Sequence, residues 1–500
     1  MGFKSLAARP YAFFIHKKLA SDSKKAVDIQ NKMLFSHLKK AGNTLFGKNH
    51  QFNRISSYED YKESVPVRDY EELKTYFDQV AEGKKDVLWP GLPKYLAKTS
   101  GTTSGAKYIP ITADSLPNHF GTARNAVFNF AYQSGNFKFM DGKMIFLSGS
   151  PELSETNGIL TGRLSGISNH LIPNWLKRNQ LPTYQTNTIE EWELKLDKIV
   201  EETLREDLRL ISGIPPWVQM YFERLLTVTG AQTVVEVFPN FSIFVYGGVN
   251  YEPYRLSLEK LIGKSLDSVE TYPASEGFIA FQDQPGETGL MLNVNSGIFF
   301  EFIPLREMGN DNPTRLKLDQ VELDTDYALV LTSNAGLWAY DLGDTVRFLS
   351  LDPPRIQVSG RTKNYISAFG EHIIAKEVEE SIQFASEKTG AKVVEFTVAP
   401  QVKPPEGGPP YHEWFIEFDE VPENLKEFSA LLNRQMAEQN IYYKDLIDGK
   451  ILKPLEVRKL KSHAFRNFMK SRGKLGGQNK VPRLSNDRKI ADELEEYISS

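Results

Sequence analysis

The sequence contains no cysteine. Disulfides, zinc–thiolate sites and a thiol nucleophile are therefore excluded. That usage fits a reducing compartment, and the chain is expected in the cytoplasm. Histidine is scarce: eight are scattered along the chain, with no pair at metal-ligand spacing. No apolar run reaches the roughly 18 residues of a membrane span. Charge of one sign is also lacking. Lys and Arg number 60 against 64 Asp and Glu, a net charge of −4, which argues against a strongly basic nucleic-acid binder. The first 20 residues lack acids and carry Lys4, Arg9, Lys17 and Lys18. This imitates a transit peptide, but Leu6, Tyr11, Phe14, Ile15 and Leu19 suit a packing helix. No internal repeat is found, and the only low-complexity patch is the Pro/Gly loop Lys403 to Pro410.

What is present is ample core material. Of 500 residues, 40% are hydrophobic and 12% aromatic, which suits two or three subdomains and not a disordered chain. The chain turns on Thr99 to Pro110, TSGTTSGAKYIP, in which Thr99 to Gly105 are only Gly, Ser or Thr. Small residues let backbone N–H groups approach an anion, and Lys107 adds a point charge. These are the ingredients of a polyphosphate cradle. The Walker form fails, because Ala106 stands where its second Gly belongs and Tyr108 follows the lysine. A flexible surface turn is the plain alternative.

Along the chain, residues 1 to 47 read as helical, and Ser57 to Asp60 and Val67 to Glu72 resemble helix starts with acids in the first turn. Tyr95-Leu96-Ala97 and Tyr108-Ile109 read as two strands making a hairpin-like cradle around the loop. A Phe-rich helix spans 114 to 134. Its aromatic residues read as core packing, with the wall of an apolar ligand pocket as the alternative. Lys143 to Leu147 reads as a short buried strand. Ile243 to Tyr246 is a strand running into Gly247-Gly248, the kind of strand end where ligands bind. Val269 to Gly277, VETYPASEG, is a second strand-to-turn passage. Leu290 to Pro304 and Tyr327 to Thr332 read as strands, and Trp338 to Phe348 as strand–turn–strand about Gly343-Asp344. A boundary falls near Gly360-Arg361, giving domains 1–360 and 361–500. The second reads as a compact α+β unit that ends in the Gly- and Lys-rich loop Ser471 to Arg483.

Three stretches in order, TSGTTSGAK, Tyr272-Pro273-Ala274-Ser275-Glu276 and Tyr340-Asp341-Leu342-Gly343-Asp344, resemble the signature motifs of the acyl-adenylate-forming superfamily. The flanks are closer to one branch, the Gretchen Hagen (auxin-responsive promoter) acyl acid amido synthetases. Ile109-Pro110, Phe300-Glu301-Phe302-Ile303-Pro304 and Gln478-Asn479-Lys480-Val481-Pro482-Arg483 look like that branch.

The resemblance implies an α/β protein. A large N-terminal domain of β-sheets flanked by helices, with a β-barrel-like part, would precede a smaller mobile α+β C-terminal domain. It implies ATP and Mg²⁺, a carboxylic acid and an amino acid as substrates, and a monomer without nucleic-acid or membrane partners. Ser100, Gly101, Thr102, Thr103, Ser104 and Gly105 would cradle phosphates, and the Gly247-Gly248 turn would back the adenine, with Gly248 and Val249 in the nucleotide-binding set. Tyr272 would stack on that ring, Ser275 would donate to the α-phosphate, and Glu276 would hold the metal. Asp344 would accept from the ribose hydroxyls, with Arg361 completing the nucleotide set. Lys480, with Ser100 and Lys107, would be catalytic. The C-terminal domain would swing about Gly360 to Lys363 between two half-reactions. Phe128, Tyr132 and Trp217 are candidates for the acyl group.

Two departures stand out. One residue separates Gly105 from Lys107 where many relatives have two, and Asp341 replaces the family's usual arginine, for which Arg347 is a candidate substitute. An acyl-CoA ligase using the same adenylate, and a catalytically silent nucleotide-binding protein, remain alternatives.

Overall fold

The structure, a computed structural model, describes residues 2–499 except 101–105, 173–176, 190, 249–250, 309, 311, 362–364, 367, 370, 372, 449–450, 474–480 and 486. The chain divides into two compact units. The first comprises residues 1–251, 255–342 and 346–357; the second comprises 252–254, 343–345 and 358–500.

The first unit opens with helices α1 (Phe3–Lys24) and α2 (Ala26–Ala41). Two short acid-led helices follow, α3 (Tyr58–Ser64) and α4 (Tyr70–Ala81), and both begin with full capping boxes, Ser57 with Asp60 and Asp69 with Glu72. Each box satisfies backbone N–H groups that the first helical turn leaves unpaired. Tyr70, Leu73, Phe77 and Val80 form the buried face of α4, at the 3.6-residue period. The Phe-rich segment begins as a π-helical turn, Pro117–Gly121, and continues as α5 (Thr122–Ser134).

A small sheet carries the hairpin β1 (Tyr95–Ser100) and β2 (Ala106–Ile111). Its strand order is β2-β1-β5-β4 once β3 (Lys143–Phe146), β4 (Ser154–Thr156) and β5 (Ile159–Gly162) are numbered along the chain. The hairpin pairs antiparallel from Tyr95↔Ile111 to Ser100↔Ala106. Helix α6 (Leu164–Leu171) follows β5, and α7 (Trp192–Thr203) comes later.

Among the described residues the main sheet has eleven strands. Its parallel half is β6 (Gln180–Leu181), β3, β7 (Leu208–Ser212), β8 (Ile243–Gly247) and β9 (Asp267–Pro273). Ile145, Ile211, Phe244 and Val269 are buried in these strands, the near-continuous apolar runs expected of a sheet covered on both faces. The antiparallel half contains β10 (Phe278–Phe281), β11 (Leu290–Leu292), β12 (Ile298–Pro304), β13 (Asp326–Ser333), β14 (Tyr340–Leu351) and β15 (Pro354–Arg361). The order runs linearly from β12 at one edge to β6 at the other. Among the described residues no sheet closes on itself, so the expected barrel-like part is the antiparallel half of an open sheet.

One strand expectation is overturned. Residues 340–351 form a single strand through Gly343-Asp344, not two strands about a turn. Gly343 has φ +83°, a conformation open to glycine, and takes up locally what the sequence signals as a reversal.

The second unit holds β18-β19-β20, formed by β18 (Lys392–Gln401), β19 (Tyr411–Glu420) and β20 (Glu456–Lys459); the two-stranded sheet β16 (Tyr365–Ile366) and β17 (Ile373–Ile374) precedes it. Helices α8 (Ala375–Thr389) and α9 (Leu425–Gln439) pack here, closing a core around Val378, Phe396, Trp414 and Phe428. Residues 483–485 run beside β18, with Val398 N–H donating to Arg483 O at 2.9 Å and Ser485 N–H to Val398 O at 3.0 Å. Arg483 also lies 4.4 Å over the Phe396 ring and pairs with Glu395.

Candidate active site

The parallel strands β3, β7, β8 and β9 end on one edge of the sheet, and an open α/β sheet presents its ligand crevice at such an edge. The β8 end is the Gly247-Gly248 pair. Gly248 has φ +73°, so a side chain there would be strained. The β9 end is the turn Ala274–Gly277, closed by mutual backbone bonds of 2.9 and 3.2 Å. Tyr272 is buried at the end of β9, and Ser275 is half-buried in the turn.

Glu276 is 9% exposed. Its Oε1 accepts a 3.3 Å hydrogen bond from the hydroxyl of Tyr340, the first residue of β14. Burial, reinforced by the Glu276 charge, pushes the Tyr340 phenol well above its ordinary pKa, so it remains a donor at neutral pH. The turn is also held from behind. Asn118, in the π-helical turn, accepts from Phe278 N–H at 2.7 Å, and its amide donates to Ser296 Oγ at 2.9 Å. Asn293 donates to Thr122 Oγ1 at 2.8 Å and to Phe278 O at 3.2 Å. Asn118, Asn293 and Tyr340 support this turn without any sign of it in the sequence. No local pattern marks them, because the contacts span 15 to 171 residues of sequence.

Lys107 faces Thr99 across the hairpin, and its Nζ lies 5.5 Å from the centroid of the Tyr70 ring. The Tyr70 hydroxyl accepts from Tyr108 N–H at 3.0 Å, which ties β2 to the start of α4. Asp344 stands half-buried within β14. At the departure position, Asp341 N–H donates to Arg68 O at 2.9 Å, and Arg68 N–H to Ala339 O at 3.1 Å. Arg347 pairs with Asp326 through Nε and Nη2.

Gly101, Thr102, Thr103, Ser104, Gly105, Val249 and Lys480 lie outside the described residues, as do the side chains of Ser100 and Arg361. The aromatic candidates are dispersed. Phe128 packs edge-on against Tyr11 at 5.1 Å, and Tyr132 stacks on His16 at 4.7 Å, so both rings meet α1. Trp217 is buried beside Trp192, with ring centroids 4.8 Å apart. Among the described residues no group of three or more His, Asp or Glu could hold a metal ion, and no helix is long and apolar enough to cross a membrane.

The whole fold matches solved structures of one class. GH3.15 acyl acid amido synthetase in complex with 2,4-DB superposes with a TM-score of 0.80 at 18% identity, covering 98% of this chain and 96% of that one. A 2-hydroxyisobutyryl-CoA ligase superposes with a TM-score of 0.53 at 12% identity, over 96% of this chain and 90% of that one. This chain shares the fold of these two enzymes.

The domain matches are narrower. The GH3 family N-terminal domain matches residues 15–173, the central domain 291–361 and the C-terminal domain 376–489. The chain belongs to the GH3 family. It is 22% identical to jasmonoyl–L-amino acid synthetase JAR4 of Nicotiana attenuata, over 92% of this chain and 91% of that protein. It is 21% identical to indole-3-acetic acid-amido synthetase GH3.4 of Arabidopsis thaliana, over 91% and 88%.

Proposed function

We propose that this protein is an ATP-dependent acyl acid amido synthetase that joins a small carboxylic acid to an amino acid. The observation that carries the reading is the buried, acid-bearing turn at the end of β9, held by Tyr340 and Asn118, in a chain whose three GH3 segments run in family order. The named relatives in Nicotiana and Arabidopsis are amido synthetases of this kind.

A carboxylate is a poor acyl donor because its leaving group would be oxide. In the first half-reaction its oxygen attacks the α-phosphorus of ATP, the bond to the β-phosphate bridging oxygen breaks, and acyl-AMP and pyrophosphate form. In the second, the amino acid's amine attacks the acyl carbonyl. AMP leaves with the electron pair of the acyl–oxygen bond, and the amine releases a proton. No acyl-enzyme is needed, which accords with the absence of cysteine.

In this reading the stretch Ser100 to Gly105 and Lys107 take the phosphates, Tyr272, Ser275 and Gly248-Val249 the nucleoside and α-phosphate, and Asp344 the ribose. Catalysis draws on Lys480, brought in and withdrawn as the C-terminal domain rotates about Gly360 to Lys363. Mg²⁺ bound mainly by phosphates needs only one or two protein carboxylates, so a single buried Glu276 fits it without a dedicated metal cage. When bound, the ion neutralises phosphate charge.

The test is incubation with ATP, Mg²⁺, a panel of carboxylic acids and the twenty amino acids, with products read by mass spectrometry. One AMP released per amide formed is expected. Acyl transfer to coenzyme A with none to amino acids would replace the reading with a thioester ligase. ATP binding without any adenylate would leave a silent nucleotide-binding protein.

A further inference from the structure

Two cations converge on the turn at the carboxyl end of β3. Lys195, on α7, is 3% exposed. Its Nζ donates to Ser148 O at 2.9 Å and to Asn187 O at 2.7 Å. Asn187 is itself buried and donates to Ser148 Oγ at 3.1 Å, so the ammonium is held against the Ser148-Gly149 turn. Arg163, which follows β5, reaches the same turn from the other side. A Cβ on Gly149 would stand 2.9 Å from the Arg163 Nη1, so any larger residue there would shift the guanidinium.

Among the described residues neither cation has a carboxylate partner, and the charge that acts on Lys195 is that of Arg163, of like sign. Fully buried lysines are almost always paired, and like charges brought together repel. A third donor is idle. The Ser165 hydroxyl, in the first turn of α6, is shielded from solvent and has no hydrogen-bond partner among the described residues. A buried unpaired hydroxyl is costly. An anion seated between the two cations would answer their unpaired charges, and Ser165 lies two residues from Arg163 in the chain.

The place fits the chemistry. Gly162 pairs with Ala97 in the parallel β1–β5 ladder, so Arg163 leaves β5 at the level where β1 runs into the Gly/Ser/Thr stretch. That stretch supplies its own donors for phosphates. What lacks a holder is the acceptor. Its amine must stay free to attack, so its carboxylate is the group left to bind, and a guanidinium fork matches a carboxylate in two parallel hydrogen bonds.

We propose that Arg163, with Lys195 and Ser165, binds the carboxylate of the amino acid acceptor. This rests on the amido synthetase reading. The full-length wild type, Arg163→Met, Arg163→Lys and Gly149→Ala are each assayed with the amino acid that the wild type accepts best and with its carboxamide. The wild type is expected to prefer the free amino acid by about 10- to 100-fold in kcat/KM, the range of a charge-assisted pair. Arg163→Met abolishes that preference by raising KM for the amino acid, while its rate with the carboxamide and its acid-dependent ATP–pyrophosphate exchange continue. Arg163→Lys restores part of the preference. Gly149→Ala, which displaces the guanidinium without removing it, lowers the preference too and covers the case in which Arg163→Met fails to fold. A preference intact in Arg163→Met, or in Gly149→Ala when the former is unfolded, overturns the assignment. So does a loss of exchange with weakened pyrophosphate affinity in a folded variant, which would give the site to a phosphate. A wild type that exchanges pyrophosphate but makes no amide with any amino acid overturns the synthetase reading itself.

Discussion

Tyr340 and Glu276 meet through one hydrogen bond of 3.3 Å between a fully buried phenol and a buried carboxylate. Tyr340→Phe keeps the ring and removes the donor. It is expected to lower stability by about 1 kcal/mol and to slow acid-dependent pyrophosphate exchange about tenfold through lost positioning of the carboxylate; stopped assays with labelled pyrophosphate and urea melts check both. His119 offers a separate test. It is 5% exposed, neither ring nitrogen has a partner among the described residues, and burial lowers its pKa to about 4. The unfolded chain therefore binds a proton near pH 6.5 that the folded chain refuses. Stability attributable to this residue is full above pH 6.5 and declines as pH falls toward 4. His119→Leu removes the penalty. The prediction is a variant about 1 kcal/mol more stable at pH 7, with a shallower loss of urea midpoint between pH 6.5 and 4.5. An equally steep loss in the variant would contradict it.

At the scale of elements, the legible parts are those with local physics. The hairpin β1–β2, the capped starts of α3 and α4, the strand into Gly247-Gly248 and the turn after β9 follow from periodicity, capping residues and turn residues. β14 departs from the expected strand–turn–strand because Gly-Asp signals a turn while ladder bonding on both sides decides for a strand. The site's supports were illegible for another reason. Lys195 looks like any exposed helix lysine until its burial is known, and Arg163 looks ordinary until no acid is found near it. Nor does sequence show that Glu301 and Arg315 form a buried pair. Arg315 donates to Glu301 through Nε at 2.9 Å and Nη2 at 3.0 Å and to Val65 O at 2.6 Å, and the Tyr58 hydroxyl donates to Glu301 Oε1 at 2.9 Å. This pair ties β12, the end of α3 and residue 315 together. Arg315→Leu leaves the carboxylate buried without its cation, and a loss of about 3–5 kcal/mol is expected in denaturant melts. A loss under 1 kcal/mol would mean that water or another cation replaces the guanidinium.

For the whole molecule, each unit has its own core, around Trp338, Phe46 and Phe77 in the first and around Trp414, Phe396 and Phe428 in the second. Chains so built depart from two-state unfolding. Calorimetry is expected to give a total enthalpy larger than the van't Hoff value, and ATP with Mg²⁺ to raise the transition that carries the first unit by mass action. A single two-state transition indifferent to nucleotide would argue against both statements. Adenylation at the Glu276 turn is read out by ATP–pyrophosphate exchange. Wild type and Glu276→Gln are compared with Mg²⁺ across a panel of carboxylic acids. Acid-dependent exchange in the wild type, reduced about 100-fold or more when the carboxylate is replaced by an amide, is the predicted result. Exchange in Glu276→Gln equal to that of the wild type would show that adenylation does not use this carboxylate.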